Sequence, residues 1–135
     1  MSILAALKES PAVLSKGSTF TCLCGLFYMA SGALVLAWPG AAQTLLRDPD
    51  FVGHEAALVR VLGMLVLVVG WFYFFGGRSG GRQFVAATVL DRVVLVPLVL
   101  VPTALAGVLP HTLLMFAVID PVLGLVAWFL LARGR

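Results

Sequence analysis

At 135 residues, the chain is 61% hydrophobic and only 11% charged, against about 45–50% apolar residues in soluble domains. A protein this small has too much surface per volume to hide the excess, so the composition excludes a soluble fold and demands a bilayer as apolar solvent. The net charge of +3 is scattered in ones and twos, with no basic stripe interleaved with aromatics, so nucleic acid is not an expected partner.

At the N-terminus, Ile3, Leu4, Leu7 and Leu14 share roughly one helical face, with Lys8 and Glu9 off it. That pattern predicts either a short interfacial helix broken at Pro11 or a frayed tail. A membrane helix needs about 20 mainly apolar residues, and residues 20–38, 56–75, 84–106 and 112–131 qualify. Trp38-Pro39-Gly40 closes the first, Gly76-Gly77-Arg78-Ser79-Gly80-Gly81 separates the second from the third, and Gly107 to Pro110 makes a short turn before the fourth. A leader cleaved after Ala42 is not expected, because its apolar run of about 18 residues exceeds the usual 7–15 and ends in Trp-Pro. Cys22 and Cys24 lie inside the first apolar run and are read as packing residues rather than a disulfide or an acylation site.

In the loop from Gly40 to Glu55, Arg47-Asp48-Pro49-Asp50 reads as a turn. Leu45, Leu46, Phe51 and Val52 should lay that loop on the bundle or the headgroups. Short connections favour antiparallel neighbours, so the expected fold is all-α: an integral membrane antiparallel four-helix bundle with short loops. Lys8, Lys16, Arg78, Arg82, Arg133 and Arg135 fall on one side of that topology. The other side carries only Arg47, offset by Asp48, Asp50 and Glu55. Basic loops stay in the cytoplasm, so both termini are expected there.

Ionisable residues inside spans are costly and usually face the bundle interior in pairs. Here they are Arg60, Asp91, Arg92 and Asp120. A rise of about 1.5 Å per residue and a core about 30 Å thick put Arg60, Asp120 and Arg92 at depths of roughly 9, 14 and 18 Å from the outer boundary. The similar depths predict a buried Arg60–Asp120–Arg92 cluster, with Asp91 about 100° around the third span and a neutral total charge. A second-span face of Arg60, Gly63, Leu67, Gly70 and Phe74 would turn Arg60 inward; the alternative is that it snorkels to the boundary. The cluster reads either as glue between helices or as a binding or proton-handling site.

Asp120-Pro121 lies mid-span, and Pro97 and Pro102 interrupt the third span. Kinks there would leave room beside the charges. Trp38, Trp71 and Tyr73 read as interfacial aromatics. His54, His111 and Glu55 lack metal-ligand spacing, and there is no phosphate loop, haem-facing histidine or Ser/His/Asp arrangement. No metal or cofactor is expected.

Arg60-x-x-Gly63, Gly70 and Thr88-x-x-Asp91-Arg92 together resemble the DoxX-like and BphX-like small membrane proteins over about residues 60–131. The resemblance implies a compact four-helix protein of a bacterial inner membrane, in a family often of unassigned function, some of whose members are associated with redox or aromatic-degradation systems. Asp120-Pro121 has no counterpart in that pattern. Small multidrug exporters need a glutamate in the first span, which is devoid of ionisable residues here, and the third span lacks the Phe-rich break and polar track of fluoride channels. Three functions follow as expectations. The first is an accessory subunit or assembly partner of a larger membrane enzyme. The second is a binding protein for a lipophilic molecule such as a quinone, sterol or isoprenoid. The third is an enzyme on a lipid-soluble substrate, with Asp91 or Asp120 as acid/base.

Overall fold

The computed structural model describes residues 2–134. In chain order they form α1 (Ile3–Lys8), α2 (Lys16–Ala37), α3 (Ala41–Leu46), α4 (Glu55–Arg78), α5 (Arg82–Leu90), a π-helical turn (Asp91–Leu95), α6 (Val96–Leu105) and α7 (Pro110–Arg133). Four continuous helical stretches are long and apolar enough to cross a bilayer: Lys16–Ala37, Glu55–Arg78, Arg82–Leu105 and Pro110–Arg133, hereafter spans 1 to 4. The protein is an all-α, multi-pass bundle. The start of span 1 and the end of span 4 lie on one side, the terminal side; the loop joining spans 1 and 2 and the turn joining spans 3 and 4 lie on the far side.

The helix ends follow local chemistry. Ser15 caps span 1, its Oγ accepting from the Ser18 N–H at 3.1 Å. Span 1 stops at Trp38, whose backbone leaves the helical region, which a following proline disfavours. Glu55 opens span 2 and Arg78 closes it, each sign complementing the helix dipole. Gly80, at φ +73°, then reverses the chain. The short helix α1 forms, capped by Ser2, and turns Ile3 and Leu4 outward at 81% and 71% exposure.

One repeat organises the interior. In span 1 the buried residues Ser18, Thr21, Gly25, Tyr28 and Gly32 recur at alternating steps of three and four. Span 2 answers with Val59, Gly63, Gly70, Tyr73 and Gly77, and span 4 with Ala117, Asp120, Gly124 and Ala127. That alternation is the seam of antiparallel helices crossing at a shallow angle. Spans 1 and 2 make the most extensive contact in the molecule, and glycine sets its closeness. A Cβ on Gly32 would lie 2.4 Å from the Leu67 nitrogen, and one on Gly63 would lie 2.6 Å from the Leu36 nitrogen. Small residues permit this backbone approach where lipid removes the usual hydrophobic drive.

Spans 3 and 4 form the second pair, and span 1 also touches span 4. Span 2 packs against α5 but not along α6, so the bundle is splayed between spans 2 and 3 in its far half. The expected break of span 3 at Pro97 takes the form of a π turn. The Val96 N–H donates to the Asp91 carbonyl, five residues back. A widened turn just before a proline relieves the clash of its ring with the preceding carbonyl. Span 4 stays helical through Pro121.

The loop between spans 1 and 2 is tied down, as its apolar residues suggest, through α3 and Asp48. Asp48 is buried, and its Oδ1 accepts from the His111 N–H at 2.7 Å, its Oδ2 from the Thr112 N–H at 3.0 Å and from the Thr112 hydroxyl. His111 Nδ1 adds a 3.3 Å contact to the same carboxylate. Asp48 is therefore the N-terminal cap of span 4, supplied from another element. Asp48→Ala is expected to lower stability by about 1–2 kcal/mol, read as an earlier thermal midpoint in nanodiscs. Asp48→Asn keeps one acceptor oxygen but sets its amide NH2 against the other backbone N–H, so it should recover only part of the loss.

Candidate functional site

Near the middle of the bundle all four spans contribute polar side chains. Span 3 carries the central group, Arg92, which is 1% exposed. Its Nε donates to the Thr88 carbonyl and its Nη2 to the Thr88 hydroxyl, each at 2.9 Å, and its Nη1 donates to Cys24 Sγ at 3.2 Å. Thr88 passes its own hydroxyl proton to the Val85 carbonyl at 2.8 Å. The guanidinium also sits 5.1 Å from the centre of the Tyr73 ring, a cation–π distance.

Two carboxyls flank the arginine, each held by a tyrosine. Tyr73 of span 2 donates to Asp91 Oδ2 at 2.8 Å, and Tyr28 of span 1 donates to Asp120 Oδ1 of span 4. The two tyrosine rings meet edge to face, centroids 5.5 Å apart. Tyr28, Tyr73 and Cys24 form the buried core cluster, with Phe84, Phe116 and Leu123 packed against it. Gly124 lets span 4 press on Arg92, since a Cβ there would lie 3.2 Å from the Arg92 Cβ.

Asp91, Arg92 and Asp120 are thus brought together, as their depths suggest, but Arg60 is not among them. Arg60 is exposed on the far half of span 2. The seam runs through Val59 and Gly63, and one residue on from Val59 turns a side chain about 100° away. The expectation of an inward Arg60 fails on rotation about the axis. The set therefore holds one arginine and two aspartates, leaving one formal negative charge in excess rather than a neutral total. Among the described residues no Lys or Arg nitrogen lies within 4.0 Å of Asp91 or Asp120, and the sole ion pair is His111–Asp48. Tyr73 is buried at 7% exposure, so it belongs to this centre rather than to the interface, whereas Trp38 and Trp71 are exposed.

Span 1 is more than an uncharged wall. It supplies Tyr28, which its apolar composition did not single out, and Cys24, which that composition marked only as a packing residue. The signal was present in the spacing: Tyr28 sits on the same three-four repeat as Gly25 and Gly32. Cys22 and Cys24 are both buried free thiols, as expected of packing residues.

Above this polar floor, in the far half, is a chamber of about 450 Å³. Tyr28, Tyr73, Asp91, Arg92 and Asp120 form its floor, and Leu109 and Leu113 line its far end. From Asp120 to Thr112 along span 4 the chamber is about 12 Å deep. Its remaining walls are almost wholly apolar. Leu62, Leu65 and Val69 of span 2 and Leu95 and Val99 of span 3 line it and are also exposed on the bundle's outer surface. Its mouth therefore opens sideways, through the splay between spans 2 and 3, towards the acyl chains rather than the water. An apolar chamber of this size with a few convergent polar groups has the form of a small-molecule site. No family model, no curated protein and no solved structure matches this chain.

Proposed function

We propose that this protein binds a lipid-soluble molecule that enters from the bilayer between spans 2 and 3. Its polar end rests on the Asp91–Arg92–Asp120 floor and its apolar body fills the far half of the chamber. The observation that carries this reading is the sideways opening onto buried charge. Membrane proteins bear the cost of charges at this depth chiefly where they serve a pathway or a ligand. Structural glue needs the charges but not the space beside them.

Docking on a larger membrane enzyme, such as a redox enzyme, rests on small size and the absence of a catalytic constellation, and no specific contact surface favours it. Acid–base catalysis by Asp91 or Asp120 has the placement, yet each carboxyl is already held by a tyrosine and no second reacting group faces it. Cytoplasmic termini, from the basic residues of the terminal side, a bacterial inner membrane and kinship with DoxX-like proteins belong to the same proposal.

The test fills the chamber. Val99→Trp projects a large side chain into the mouth from a position otherwise facing lipid, so the bundle should tolerate it. Native mass spectrometry from detergent-free nanodiscs should find a discrete small-molecule adduct on the wild type and lose it in Val99→Trp. Bare protein in both, or identical phospholipid adducts in both, would contradict the reading.

A further inference from the structure

The floor also indicates what kind of polar end it takes. Resting on the receptor reading above, we infer that the chamber selects lipid-soluble monocations over neutral and anionic molecules of the same size, with Asp120 and Asp91 as counter-ions.

The argument starts from the state of each charge. Arg92 is committed to span 3 and span 1: three of its N–H groups go to Thr88 and Cys24 and its face to Tyr73. It makes no ion pair with either carboxyl. Asp120 is 7% exposed and lines the chamber. Tyr28 occupies its Oδ1, and among the described residues nothing donates to its Oδ2. Asp91 likewise spends Oδ2 on Tyr73 and has no partner at Oδ1. Two carboxyls therefore present unused acceptor oxygens to one cavity, and the surrounding side chains leave one negative charge uncompensated.

Low-dielectric sites require buried charge to be balanced. A single positive charge on the ligand balances this one. A neutral ligand leaves the excess in place, and an anion adds a third negative charge beside the two carboxyls. Aromatic rings favour the same sign. Tyr28 and Phe116 line the chamber beside Asp120, and ring faces attract cations, most strongly when desolvated. The apolar walls then select cations with a large hydrocarbon body over hydrated metal ions, whose water shell the chamber could not replace. Entry through lipid imposes the same choice, because only a cation with a large apolar body crosses acyl chains readily.

Three probes of similar shape separate the possibilities: tetraphenylphosphonium, neutral triphenylphosphine oxide and the anion tetraphenylborate. Saturable binding to the wild-type protein is measured in nanodiscs of zwitterionic lipid, with empty nanodiscs subtracted. Tetraphenylphosphonium is expected to bind at one site, about tenfold or more tighter than either comparison probe, the scale of one charge-assisted contact. Asp120→Asn should cut its affinity by about tenfold without weakening that of the phosphine oxide. Equal or tighter binding of the oxide or the borate overturns the charge preference and leaves the receptor reading standing. Saturable binding of none of the three overturns both. The comparison on unaltered protein decides the matter even if Asp120→Asn does not fold.

Discussion

Replacing Gly32 or Gly63 by leucine is expected to abolish recovery of folded protein. Each glycine faces the backbone of the other helix, so the new side chain has no flexible neighbour to displace. Even alanine would place its Cβ 2.4 Å from the Leu67 nitrogen at position 32 and 2.6 Å from the Leu36 nitrogen at position 63. Real Cβ atoms do not approach backbone that closely, and the two helices must part along the whole seam. Gly32→Ala should cost about 1–3 kcal/mol as overpacking, and the leucine variants more. Gly17 is the internal control. A Cβ there meets its nearest atoms at 3.6 Å, ordinary contact. Gly17→Ala should then be neutral, or stabilising by up to about 1 kcal/mol through helix propensity. Thermal unfolding in nanodiscs, read by circular dichroism, gives both signs in one series. A Gly32→Ala protein as stable as the wild type would contradict the close-packed seam.

The second large effect is expected at Arg92. Arg92→Met conserves much of the volume but removes the only cation of the floor, leaving Asp91 and Asp120 without any compensating charge. No ion pair is broken, but the charge-assisted bonds to Thr88 and Cys24 and the contact with the Tyr73 ring are lost, a loss of about 1.5–3 kcal/mol. The variant should aggregate on extraction or unfold at much lower temperature. Arg92→Lys keeps the charge and loses the fork that spans Thr88 and Cys24, so it should fall between the two. The ordering wild type, Arg92→Lys, Arg92→Met is the prediction. A fully stable Arg92→Met protein would mean that the carboxyls need no cation. The account of the floor as an electrostatic unit would then fail.

Much of this architecture was legible in the sequence because a bilayer simplifies the problem. Backbone groups must be satisfied within each segment, so apolar runs of sufficient length can only be helices. Their ends, marked by Trp38-Pro39-Gly40 and by the glycines from Gly76 to Gly81, lie close to those read from composition. The midplane grouping of Asp91, Arg92 and Asp120 followed from counting residues from the boundaries. What counting cannot supply is the angle about the helix axis, and there the reading of Arg60 went astray. Gly63 and Gly70 do face a partner helix, but the residue that continues their seam is Val59.

The tyrosines were harder to see for a different reason. Tyr28 and Tyr73 are amphipathic, and a membrane sequence offers them two homes, the interface and a hydrogen-bonded interior site. Position near a span end suggested the first for Tyr73. The three-four spacing would have chosen correctly, since both tyrosines stand on the glycine seam. The π turn left a weaker trace. Pro97 announces some distortion of span 3, but only the folded chain shows that it is taken up at Asp91–Leu95. The splay between spans 2 and 3, and with it the chamber, depends on how whole helices lean, which no local pattern records.

The claim on which the rest depends is that the chamber communicates with the bilayer between spans 2 and 3. It can be tested by photolabelling the protein in nanodiscs with a small lipid-soluble diazirine and mapping the labelled residues. The account predicts insertion at chamber-facing residues that are only partly exposed, Val66, Val96 and Phe116, besides outward-facing ones such as Leu58 and Phe72. Val99→Trp should remove the inner labels and spare the outer. Labelling confined to Leu58, Phe72 and their like in the wild-type protein would show the interior closed to lipid and contradict the account.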